Sequence, residues 1–64
     1  MIEEFMVIIR MSLEDATAFA TGKGYSIRVT NQDGEALIVS QEEDRNRINV
    51  WTIDGKVSSI DSIG

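Results

Sequence analysis

The chain contains no cysteine, no histidine and no proline among its 64 residues. Without cysteine there is no disulfide staple and no thiolate zinc site. That fits a reducing compartment, or a scaffold that holds together without bridges, and sets a cytoplasmic location as the expectation. Without histidine the usual general base and a common metal ligand are missing. Ser26, Ser40, Ser58, Ser59 and Ser62 therefore lack the neighbouring base that would activate a nucleophile, and the expectation is not an enzyme. Basic residues are also scarce, six against eleven acids, for a net charge of −5. A nucleic-acid backbone calls for clustered Lys and Arg, so no nucleic-acid partner is expected. The longest apolar run is short: Phe5-Met6-Val7-Ile8-Ile9, preceded by Glu3 and Glu4. A signal peptide would open with positive charge, and a membrane span would need about 20 apolar residues. Neither export nor membrane insertion is expected. This run reads as a strand or extended arm, and an exposed apolar edge there would allow a homodimer through Phe5–Ile9.

A chain of this length is one domain, residues 1–64, with a small core. Ser12-Leu13-Glu14-Asp15 opens a helix. Ser12 caps its first amides, and the two acids suit the positive end of its dipole. Leu13, Ala16, Phe19 and Ala20 form one apolar stripe, and Gly22 and Gly24 end the helix. At roughly nine residues the helix must pack on something to persist. In Tyr25–Thr30 polar and apolar residues alternate, with Tyr25, Ile27 and Val29 toward the core and Ser26, Arg28 and Thr30 toward water. Asn31-Gln32-Asp33-Gly34 is a turn cluster, and Glu35–Val39 a second strand or arm. Arg47–Ile53 is a third strand, with Ile48 and Val50 on one face and Trp51 and Ile53 on the other. Asp54-Gly55 signals a tight hairpin, and Lys56–Ile60 pairs back. The expected fold is α+β: one helix on one face of a small mixed sheet, with a long loop protruding from its edge.

That loop carries the functional signal. Ser40–Arg47 is eight polar or charged residues without a glycine or proline, between two apolar segments. Long irregular connections are uncommon in small domains, and binding is a frequent reason for them. Glu42-Glu43-Asp44 is a weak metal candidate. Consecutive acids in an extended chain point to opposite sides, whereas calcium needs six or more ordered oxygens. No metal or cofactor is expected.

Four features together resemble the potato inhibitor I family of serine-protease inhibitors. They are Ser12-Leu13-Glu14-Asp15-Ala16 with Phe5 upstream, Gly34 before an extended apolar segment, Asp44-Arg45-Asn46-Arg47 leading into Ile48-Asn49-Val50, and the final Gly64. The likeness spans residues 5–64, and Arg47–Val50 with Asp54–Val57 also resembles related bacterial inhibitors. The resemblance implies a substrate-like loop, Leu37, Ile38, Val39, Ser40, Gln41, Glu42 and Glu43, that enters a protease cleft. Arg45 and Arg47 would brace it from behind, with Gly64 as their anchor. Alternation places both arginines on one face of an extended chain. Val39 falls at the residue filling the specificity pocket. A second register, taken from the bacterial relatives, moves that role to Gln41. The first register departs from the family at Ile38, where threonine is common, and at Ser40, where an acid is common. A small pocket residue such as Val39 implies a subtilisin- or elastase-like serine protease as partner. The other reading is a non-inhibitory acidic protein-binding module or adaptor on the same fold, with a purely structural subunit as a third.

Overall fold

The computed structural model describes residues 2–64, apart from the side chain of Ile2. The order of elements is a 3-10 helix, Ile2–Ile8, then α1, Leu13–Gly22, and four strands: β1, Ser26–Gln32; β2, Glu35–Ala36; β3, Arg47–Ile53; β4, Lys56–Ile63. The strands form one sheet in the order β2-β1-β3-β4. The central pair, β1 and β3, is parallel, and the outer pairs are antiparallel. One helix on one face of a mixed sheet is the α+β architecture expected from the sequence.

The helix is built by its ends. The Ser12 hydroxyl accepts from the Asp15 amide at 3.1 Å, satisfying one of the free donors of the first turn. Leu13 N–H donates to Gly55 O at 3.0 Å, which ties the helix start to the β3–β4 turn. At the other end Tyr25 N–H donates to Ala20 O and Gly24 N–H to Thr21 O, with Gly24 at φ +82°. These two bonds are the Schellman arrangement, which needs a left-handed residue at this position. Gly22 is the last helical residue and not a left-handed one.

Phe5–Ile9 is not a strand. It lies mostly in the 3-10 helix, where residues three apart stack on one side. Phe5 and Ile8 are accordingly buried, while Met6 and Val7 are more than half exposed. A short apolar run does not distinguish strand from helix by periodicity. The decision falls to the core, which buries Phe5 and Ile8, packs Ile9 beside them, and does not take an alternating set. Phe5–Ile9, where a homodimer was expected to form, thus presents a helical surface and not a strand edge. Phe5 sits edge-on to Tyr25, centroids 4.7 Å apart, and to Phe19 at 6.4 Å. The chain is then pinned to β4 by Arg10 N–H on Val57 O at 2.7 Å and Val57 N–H on Met11 O at 2.9 Å.

The core is Phe5, Ile8, Ala16, Ala20, Ile48, Val50 and Val57, with Tyr25, Ile27, Val29, Ile60 and Ile63 packed around it. β3 runs without a break. Its partners carry the irregularities, at Thr30 in β1 and at Ser58 and Asp61 in β4, each skipped in the register. Ile48 and Val50 face the helix, and Trp51 and Ile53 lie exposed on the opposite face, as the alternation requires. Both hairpins turn on Asp-Gly: Asp33 and Gly34 have φ +52° and +83°, Asp54 and Gly55 +54° and +76°. Two positive φ angles in a two-residue loop mark the turn whose twist matches the flanking strands.

β2 is shorter than the five residues expected. Only Glu35 and Ala36 pair with β1, followed by Leu37 N–H on Thr30 O at 3.0 Å. The chain leaves β1 at Thr30, where β1 bulges. Ser12→Ala should lower stability by about 1 kcal/mol, which in a domain this small moves the melting midpoint down by about 4–8 °C. Thermal melts followed by circular dichroism check this.

Candidate functional site

The geometry of the loop follows from the parallel pairing. Ser26 lies opposite Arg47 and Gln32 opposite Thr52, so β1 and β3 begin at the same end of the sheet. The chain leaving β1 must travel back along its length before β3 can start. An extended chain covers about 3.3 Å per residue, so a seven-residue strand demands a comparable run of extended return. Residues 37–44 supply it and carry no regular secondary structure. The run ends in a turn in which Asp44 Oδ1 accepts from Asn46 N–H at 2.9 Å, an aspartate closing on the amide two residues on. Asn46 O then takes Ser26 N–H at 2.8 Å and β3 begins.

Two guanidinium groups hold this return from behind. Arg47 Nη2 donates to Glu42 O at 2.7 Å and its Nε to Gly64 O at 3.1 Å. Arg28 Nη1 donates to Ser40 O and to Ser40 Oγ, both at 3.2 Å, its Nε to Asn49 Oδ1 at 2.8 Å, and its Nη2 to Gly64 O at 3.5 Å. Asn49 Nδ2 donates to Gly64 O at 3.0 Å and to Ser62 Oγ at 3.2 Å. Asn49 is 4% exposed, and its one oxygen and two N–H groups are all used. Gly64 O accepts from Arg28, Arg47 and Asn49, and Gly64 N–H returns to Arg47 O at 3.0 Å. The Ser40 hydroxyl accepts from Arg28 and donates to Glu42 Oε1 at 3.3 Å. Bonds from a charged donor are the stronger class.

Of the expected braces, Arg47 and Gly64 are in place. Arg45 is exposed and is not among the side chains holding the loop. Its place is taken by Arg28, which the alternation of β1 had assigned to water. Arg28 lies opposite Asn49 across the parallel pair, beneath the loop, and is half-buried. Finding it from sequence requires the β1–β3 register, which no local pattern encodes. Asp44 acts as a turn cap and Glu42 as the acceptor of Ser40.

The loop residues divide by exposure. Leu37 is at the margin with 37%, Ile38 is fully exposed at 103%, and Val39 is partly buried. Ser40 faces Arg28, and Gln41 stands exposed between two peptide units whose carbonyls, Ser40 O and Glu42 O, are held. Glu43 is exposed. The neighbouring depression, lined by Gln32, Asp33, Glu35 and Leu37, is shallow and mostly polar. The chain matches no protein-family model, no curated protein and no solved structure.

Arg28→Ala strands the buried Asn49 oxygen and frees Ser40, and should cost about 1–3 kcal/mol. Arg47→Ala should cost about as much, and Arg45→Ala less than about 0.5 kcal/mol. Urea unfolding measures the three, and cleavage rates at residues 38–44 under limited proteolysis should rise for the first two only.

Proposed function

We propose that this protein is a small serine-protease inhibitor of the potato inhibitor I kind, whose loop Leu37–Glu43 enters a protease cleft as a substrate does. The observation that supports this reading is the pair of guanidinium contacts on Ser40 O and Glu42 O, which leave Gln41 projecting between two fixed peptide units. A loop already in its bound shape loses little conformational entropy on association.

The same contacts favour Gln41 over Val39 as the residue that fills the specificity pocket. Val39 is partly packed against the protein, whereas a pocket residue must be free to leave it. In the Gln41 register the departures noted in the sequence fall away. Ser40 then supplies the hydroxyl expected before the pocket residue, and Glu42 the acid after it. The bond under attack is Gln41–Glu42. Cleavage there yields two ends, one held by Arg28 through Ser40 and the other by Arg47 through Glu42. Both arginines share the Gly64 oxygen. The ends stay in register, and resynthesis of the bond competes with release.

A non-inhibitory binding module is the second reading. It is favoured by Trp51 and Ile53, which are 45% and 59% exposed on the uncovered face of the sheet.

Incubation with subtilisin, elastase and chymotrypsin distinguishes the two. An inhibitor gives a stoichiometric complex and slow cleavage at Gln41–Glu42. Rapid cleavage in the loop without a complex overturns the proposal. Gln41→Arg should confer inhibition of trypsin, whose pocket holds a buried acid, while Val39→Arg should not. The reverse result restores the Val39 register.

A further inference from the structure

We infer that the open face of the sheet docks a second copy of this chain, in a two-fold dimer with Trp51 at the axis and Lys56 of each protomer against the partner's Asp61. The inference is independent of the inhibitor reading. It concerns the sheet beyond the braced loop, and its test reads the state of association.

Phe5, Ile8, Ala16 and Ala20 of the two helical elements pack with Ile48 and Val50 on one side of the sheet. The other side is covered only in part. The braced return lies over Arg28 and its partner Asn49, which is 4% exposed. Two residues further along β3 the cover ends, and Trp51 and Ile53 are 45% and 59% exposed. Single exposed apolar residues are ordinary on protein surfaces. These two share one face of one strand, and the larger is the chain's one tryptophan, a residue type enriched among the anchors of interfaces.

The charges around them select the occupant. Lys56 lies opposite Ile53, and Ser59 opposite Trp51. Asp61 follows Ile60, which packs on the core, so alternation sets it on the open side. Along β4 the open face therefore runs from a cation through a hydroxyl to an anion, with Trp51 level with the middle. Lys56 and Asp61 are both exposed, and neither side chain has a partner among the described residues. A two-fold axis lying in the face and crossing the strands at Trp51 turns one protomer end for end on the other. It stacks Trp51 on its own copy and brings cation to anion twice, so the face complements itself. A uniformly acidic or basic partner would match one end and repel the other. The exposed pair Met6 and Val7 fails the same criterion, because Glu3 and Glu4 precede it and a two-fold there sets acid against acid. Four strands of about 4.8 Å spacing and seven residues at about 3.3 Å give a face of roughly 19 by 23 Å. That is small for a specific interface, so the dimer is weak and concentration-dependent. The axis places the two braced loops at opposite ends, both clear of the interface.

Sedimentation equilibrium of the full chain, from micromolar concentration to about 1 mM, should show monomer giving way to dimer. The emission of Trp51 should shift to the blue over the same range. Ile53→Asp should keep the chain monomeric throughout. Lys56→Glu and Asp61→Lys should each raise the dissociation constant by about threefold to tenfold. The double variant exchanges the two charges and should return it to within about twofold of the parent. Melting midpoints of all variants at low micromolar concentration should equal that of the parent, which separates lost association from lost folding. A parent chain that stays monomeric at about 1 mM overturns the dimer, assigns the face to a different protein and leaves the inhibitor reading untouched. A dimer that survives Ile53→Asp, or a double variant that associates no more tightly than the single ones, overturns it as well.

Discussion

The parallel pairing of β1 with β3 sets the rest of the molecule. Antiparallel neighbours can be joined by two residues, as both Asp-Gly turns here do. Parallel neighbours cannot, because the chain must first return to the end where it started. Most small domains make this return through a helix. Here it is made by the two-residue β2 and an irregular extended run, and the helix has already been placed before β1. The return passes along the sheet edge beside Arg28 and arrives over the start of β3, beside Arg47. The long polar segment is thus a topological requirement first and a binding candidate second. Its extended form comes from the distance it must cover.

An irregular run on a small domain would be mobile unless something replaced the missing ladder bonds. The substitute is a compact polar cluster on the open sheet face: Arg28, Arg47, Asn49, Ser62 and the Gly64 oxygen. Buried polar groups cost free energy unless every donor and acceptor is matched. Among the described residues no buried side-chain nitrogen or oxygen lacks a partner. The energetics of such a cluster are asymmetric. Its net contribution is modest when complete, and the penalty for removing one member is larger. A cluster of this kind specifies one loop shape more strongly than it raises overall stability. Asn49 is its centre, since it touches Arg28, Ser62 and Gly64 together.

Much of the fold could be read from residue order. Ser12 and Gly24 bracket α1, the Asp-Gly pairs give both hairpins, and β3 keeps the expected bounds Arg47–Ile53. These are local signals, in which a residue's own backbone preference decides the outcome. The misreadings occur where a distant partner decides. Phe5–Ile9 is a 3-10 helix because the core between α1 and the sheet accepts Phe5 and Ile8 and leaves Met6 and Val7 outside. β2 ends at Ala36, and the next amide, Leu37 N–H, bonds Thr30 O, the residue skipped in the β1–β3 register. Arg28 looked like a solvated strand residue because its partner Asn49 lies 21 positions later. The bracing role expected of Arg45 comes from the family resemblance, which pairs it with Arg47, and not from the fold of this chain. The turn closed by Asp44 leaves its side chain outside.

The far end of the sheet has its own tie. Asp33 Oδ1 accepts from Asp54 N–H at 2.7 Å, and Asp33 N–H donates to Thr52 O at 2.9 Å. One aspartate therefore couples the tips of both hairpins, at the pole opposite the braced segment. A pull on the Arg47 end of β3 can be directed along the strand's own axis. It meets the ladders on both flanks in shear, with the rungs sharing the load, and cannot peel them one at a time. β3, paired along both of its edges, is the strand that would carry such a load.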